Sequence, residues 1–211
     1  MKCRSINKSL AWCKGSPAFS GMRKRVYFIS KDSVAVWPVF ERDGYGVPVD
    51  ASLKGDFELV ADEYFRYMDV DPSLSSHSSE AQGDWPCVTQ LNRLSLVHLA
   101  VGEEASAISA YLNNKDIIYL FQDTSGMWRV VGSSKWETLT EVSQDGGSES
   151  DDVATSIAVS ATDETASPFF TGKFMSEEGE IDCEPPKACF SSGSWLGHLP
   201  WLSRFLWRNK K

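Results

Sequence analysis

Short runs of alternating apolar and polar residues predict a mainly β protein of the α+β class. Two further observations support this: glycine-bearing turns punctuate the runs, and before the last segment only one stretch carries a helical stripe. A chain of 211 residues with 42% hydrophobic content has enough apolar side chain for a proper core. Its length favours one domain with appendages over two full domains.

The elements follow in chain order. Residues 1–20 form a basic N-terminal arm; together with Arg23, Lys24 and Arg25 they carry Lys2, Arg4, Lys8 and Lys14 and no acid. "RVYFISK" and "SVAVWPVF" are β-rich runs, with Pro38 at a strand edge or end because it lacks a ladder donor. "RDGYGVPVD" reads as a turn, and "DFELV" and "EYFRYMDV" as strands. In the latter, Tyr64, Arg66 and Met68 share one face and Phe65, Tyr67 and Asp69 the other. The serine-rich Asp71–Pro86 stretch is expected to be a long loop, followed by a strand from Cys87 to His98.

"GEEASAISAYLNN" sets Ala105, Ile108, Tyr111 and Leu112 on one helical face, the stripe of a short surface helix. Glu103 and Glu104 suit its first turn, and Asn113-Asn114 its stop. "DIIYLFQDTSGMWRVVGSSK" then reads as a hairpin closed by Asp123-Thr124-Ser125-Gly126, a type I turn with left-handed glycine. Ile117, Tyr119 and Phe121 alternate with Ile118, Leu120 and Gln122, so both faces are largely apolar. Such a strand is buried on both sides, or buried on one and covered by a neighbouring subunit on the other. On the return strand Trp128 and Val130 alternate with Met127, Arg129 and Val131. "SQDGGSESDD" reads as a flexible acidic loop, and "VATSIAVSAT" and "SPFFTGKF" as the last strands. Residues 175–194 have the acidic, proline-containing composition of a linker. Residues 195–211 form a tryptophan-rich segment.

Candidate chemistry is sparse. Asp62-Glu63, Glu103-Glu104, Asp151-Asp152 and Glu177-Glu178 are neighbouring carboxylates in polar settings and read as solvated charge rather than acid/base pairs. Asp145-Gly146-Gly147 with Asp151-Asp152 lacks the ligand alternation of a calcium loop. Cys87 and His98 lie about 35 Å apart along an extended run, and both read as core residues. Serines around His77 form no nucleophile elbow, and neither GxxxxGK[ST] nor a helix-opening GxGxxG occurs. The five cysteines include no CxxC; Cys183 and Cys189 either close a small disulfide loop or stay reduced. No enzymatic activity, cofactor or metal is expected. The net charge of −8 opposes tight binding to nucleic-acid phosphates. No apolar run reaches signal-peptide length or the roughly 18 residues of a membrane span, so the expectation is a soluble, unexported chain.

In the last segment Trp195, Leu199, Leu202, Phe205 and Leu206 recur near one helical face, beside Arg204, Arg208, Lys210 and Lys211. That pattern suits docking in a protein groove or on an anionic membrane surface, or packing as a terminal helix.

Three stretches together carry a resemblance: "SGMRKRVYFISKDSVAVWP", "WPCVTQLNRLSLVHLAVGEEASAISAYLNNKDIIYLFQDTSGMWRVVGSS" and "PFFTGKF". Their order resembles the tail-tube-like virion structural proteins of phages and prophages of gut Bacteroidales. The shared pattern is a G-(I/M)-(R/K)-x-x-(V/L)-Y-(F/Y)-I entry strand, a Gln-bearing strand before a short helix, then D-x-x-G-x-(W/Y)-x-(V/L)-(V/L)-G. It spans residues 21–174, which the resemblance marks as one β-rich domain. The resemblance implies an antiparallel β-sandwich or barrel with one flanking helix, assembling as hexameric rings that stack into a tube.

On that reading the partners are other copies and other tail proteins, DNA passes non-specifically through the lumen, and the protein resides in a virion tail assembled in the bacterial host cytoplasm. Ile117, Ile118, Tyr119, Leu120, Phe121, Trp128 and Val130 would form the assembly interface, with the loops around Asp71–Pro86 and Gln144–Asp152. Trp195, Leu199, Leu202, Phe205 and Leu206 would dock a partner. The chain departs from the family pattern after Phe174, which implies a terminator, an adaptor or a prophage-derived variant as alternatives to a plain tube subunit. The competing function is a host-side binding module whose last segment docks a protein or membrane.

Overall fold

The computed structural model of the chain describes residues 21–147 and 153–184. The first strands are β1 (Met22–Ser30), β2 (Val34–Val36), β3 (Val39–Arg42), β4 (Pro48–Lys54), β5 (Glu58–Leu59), β6 (Arg66–Asp69) and β7 (Ser76–Gln82). After β8 (Thr89–His98) come helix α1 (Glu103–Leu112), β9 (Ile117–Asp123), β10 (Trp128–Val131) and β11 (Thr138–Asp145). The last are β12 (Ala154–Asp163), β13 (Phe169–Phe170), β14 (Lys173–Ser176) and β15 (Gly179–Asp182). The protein is mainly β, with several antiparallel sheets and one α-helix among the described residues.

Two large sheets face each other. One has seven strands in the order β3-β4-β13-β10-β9-β1-β6, the other four in the order β11-β12-β8-β7. Every pairing in them is antiparallel except β13 on β4. Between the sheets lies the first core. Val26 and Phe28 of β1 and Ile117, Tyr119 and Phe121 of β9 meet Leu94 and Leu96 of β8 and Ile157 and Val159 of β12. The Tyr119 hydroxyl is satisfied inside that core, 3.0 Å from Thr140 Oγ1.

A second core covers the opposite face of the larger sheet. There Tyr27, Ile29, Ile118, Leu120 and Val130 pack against Phe57, Phe65, Phe174 and Cys183. The ring contacts tilt towards edge-on geometry, as between Phe65 and Phe174, whose centroids are 5.0 Å apart. The hairpin β14–β15 and the small β2–β5 pair supply residues to this cover. The larger sheet is therefore a middle layer, which explains the apolar residues on both sides of β9. Of the two arrangements the sequence allows, burial on both sides within one chain is the one formed.

The expected β9–β10 hairpin forms, with a register running from Trp128 opposite Gln122 to Val131 opposite Tyr119. Its turn closes with the Gly126 N–H donating to Asp123 O at 3.0 Å, and Gly126 takes φ 90°, the left-handed region where a Cβ is strained. Asp123 Oδ1 also accepts from the Met127 N–H at 3.0 Å.

Three expectations are corrected. Asp71–Pro86 is not one long loop, because Ser76–Gln82 pairs along β8 as an edge strand whose side chains are exposed apart from His77, which is partly buried against Phe121. The acidic loop expected from Ser143 starts later, since β11 pairs with β12 as far as Asp145. The domain also does not end at Phe174. Residues 173–176 and 179–182 form a hairpin, and Cys183 behind it is buried in the second core. A linker composition therefore conceals a strand pair whose buried residues, Phe174 and Cys183, are few. The arm 1–20, the end of the acidic loop and residues 185–211 lie outside the described residues.

Candidate assembly and docking surfaces

Ile117, Ile118, Tyr119, Leu120, Phe121 and Val130 are all 0% exposed, so they are subunit core rather than assembly surface. The reason is architectural: β1 and β10 flank β9, and the two cores cover its faces. Trp128 is partly buried, with its ring 5.7 Å from Tyr27 and 5.6 Å from Phe174. The expected docking residues Trp195, Leu199, Leu202, Phe205 and Leu206 lie outside the described residues, as does Cys189.

The first surface open to a neighbour is the outer face of the four-stranded sheet. Strand alternation turns Leu94, Leu96, Ile157 and Val159 inward. It leaves Ser76, Ser78, Ser95, Ala158 and Ser160 around a shallow depression of about 420 Å³. Leu139, 59% exposed, and Leu91 lie on the same face. Its charges include the Arg93–Glu80 pair at 2.6 Å and Glu141.

The two edges of this sheet differ. On β11 the Thr138 N–H donates to Asp116 Oδ1 and the Val142 N–H to Asn113 Oδ1, each at 2.9 Å. These side chains follow α1 in sequence and occupy amides that an incoming strand would need. On the other edge, β7 pairs with β8 alone among the described strands. Such an edge is open to strand addition.

The second surface is a cleft of about 290 Å³ where α1 spans the gap between β6 and β12. Its floor is Met68, Leu112 and Ile157, and Ala105 and Ile108 form a wall. Asp69, His98 and Glu104 stand at the polar side. His98 Nδ1 lies 2.6 Å from Asp69 O; because a carbonyl only accepts, the ring donates from Nδ1. Burial works against the Asp69 carboxylate, yet Lys24 at 3.1 Å and Arg25 at 3.3 Å hold it below the usual carboxylate range. Arg25 also reaches Glu178 at 2.7 Å and lies 4.0 Å over the Tyr67 ring.

Sequence periodicity identifies this helix but misassigns its apolar stripe. Of Ala105, Ile108, Tyr111 and Leu112, only Leu112 is buried; Ile108 is 40% and Tyr111 42% exposed. Leu99 and Val101, which lead into the helix, are exposed as well. A second depression of about 400 Å³ shares Asp69 and His98 with the cleft and brings in Leu99. Nothing in the sequence brings Asp69, His98 and Glu104 together, because the pairing of β6 with β1 and the path of α1 do so.

The third feature is a carboxylate pair beside a small hollow of about 130 Å³. Arg42, ahead of Lys135, holds Glu164 below its usual value, with Arg42 Nη2 2.9 Å from Oε1. Burial pushes the neighbouring Asp163 up to about 6, against the backbone N–H of Glu164 that donates to it at 2.6 Å. Other chemical candidates are dispersed. Cys87 is exposed rather than in the core, at the opposite end of β8 from His98, and Glu178 is engaged with Arg25. No group of three or more His, Cys, Asp or Glu is placed to hold a metal ion among the described residues, and no helix among them is long and apolar enough to cross a membrane. Comparison of the chain with protein-family models, curated proteins and solved structures finds no match.

Proposed function

We propose that this chain is a non-enzymatic tail structural protein of a phage or prophage, which self-assembles into rings that form a tube for DNA passage. The observation carrying this reading is the solvent-facing side of the four-stranded sheet. A face of serines and alanine with Leu91 and Leu139, whose charges are the Arg93–Glu80 pair and Glu141, gives a lumen wall that phosphates neither grip nor are strongly repelled by. The unequal edges of that sheet add support. The open β7 edge offers strand addition, and because β11 is capped the strand it receives comes from another part of the next copy; repeated, such a head-to-tail contact closes into rings. On this reading the β9–β10 hairpin acts as internal framework and the interface lies at β7 and the surfaces beside it.

Negative-stain microscopy of the purified full chain tests the proposal directly. Rings or stacked tubes are the expected outcome. Monomers that persist at high protein concentration would sink it, as would two-fold dimers that never grow.

A further inference from the structure

We infer that the cleft between α1 and β6 is the seat of this chain's own last segment, residues 195–211. The inference starts from an unpartnered apolar face: the helix turns Ile108 and Tyr111 to water beside the apolar floor of Met68, Leu112 and Ile157. A helix of this length derives most of its stability from packing, so a half-covered stripe is a site awaiting a cover.

Charge identifies the occupant. Glu103 and Glu104 stand in the first turn of α1, and neither has an ion-pair partner among the described residues. Residues 195–211 offer the complement, with Leu199, Leu202, Phe205 and Leu206 at helical spacing and Arg204, Arg208, Lys210 and Lys211 alongside. Apolar anchors seated in a groove, with basic residues meeting an acidic rim, are the physics of helix-in-groove recognition. Reach agrees with this. The ten residues 185–194 follow the last described residue, Glu184, and can span about 33 Å when extended. That is about twice the radius of gyration, roughly 16 Å, of a domain this size. The inference is independent of ring assembly, since it concerns a different face of the subunit.

Hydrogen exchange over residues 103–112 of the full chain is the test. Leu202→Asp with Phe205→Asp alters no residue of the described fold. It is expected to speed exchange along α1 about tenfold, the loss of a docked cover. A synthetic peptide of residues 195–211 added to that variant restores protection, less so as salt rises, and the same peptide carrying both aspartates does not. Ile108→Asp, at a half-exposed position, abolishes the peptide's effect. Exchange that is unchanged in the double variant would overturn the inference. So would protection that appears only with anionic phospholipid vesicles, because the segment would then be seated on membrane.

Discussion

Asp163 shows how much a single side chain contributes to this fold. It is 5% exposed, and burial raises its value to about 6 from an ordinary 3.8. Between those values the native state holds a proton that the unfolded chain has released, so stability falls as pH rises through the window. Asp163→Asn removes the penalty. In urea unfolding the variant should gain up to about 3 kcal/mol over the parent near neutral pH, with the gain vanishing below about pH 4. Gly172 is constrained by space: a Cβ there would come 2.0 Å from the Gly55 carbonyl oxygen. Gly172→Ala should therefore cost about 1–3 kcal/mol or more, read as a lower melting temperature. Neither effect is legible in the sequence. Both arise where elements distant along the chain press together, and no local pattern records that.

Among the elements, legibility follows how many side chains each one buries. The β9–β10 hairpin can be read in advance because both faces of β9 are apolar and Gly126 marks its turn. β7, "SHSSEAQ", shows no apolar alternation; pairing with β8 makes it a strand, so composition alone suggests a loop. The β14–β15 hairpin is hidden by its acidic residues, although Phe174 and Cys183 are each 1% exposed. This difference is testable. A chain ending at Glu184 should melt cooperatively, whereas one ending at Phe174 loses the hairpin over the second core and should bind hydrophobic dyes and aggregate. Capping of β11 yields another expectation. Asn113→Ala frees the Val142 amide and should cost about 1 kcal/mol while raising the tendency of the sheet edge to self-associate, measurable by light scattering.

At the scale of the whole molecule, the three-layer arrangement separates stability from surface chemistry. Both cores lie within one subunit, so the outer face of the four-stranded sheet is free to vary. Ser78→Lys with Ser160→Lys should change stability by no more than about 0.5 kcal/mol per site. In an assembled tube the same pair would add salt-sensitive DNA retention, measurable by filter binding at two ionic strengths. The α+β class and helix α1 are readable from period and punctuation, but the middle-layer position of the larger sheet is not, because it depends on which strands pair across long stretches of chain. Phe169 and Phe170 lie parallel to Ser52 and Leu53, more than a hundred residues earlier. During synthesis at the ribosome, β4 must therefore wait with one edge unpaired until nearly the whole domain has emerged. The second core closes later still, when β14 and β15 arrive. Such dominance of distant pairings makes folding slow, and the last strands made are the ones that complete it.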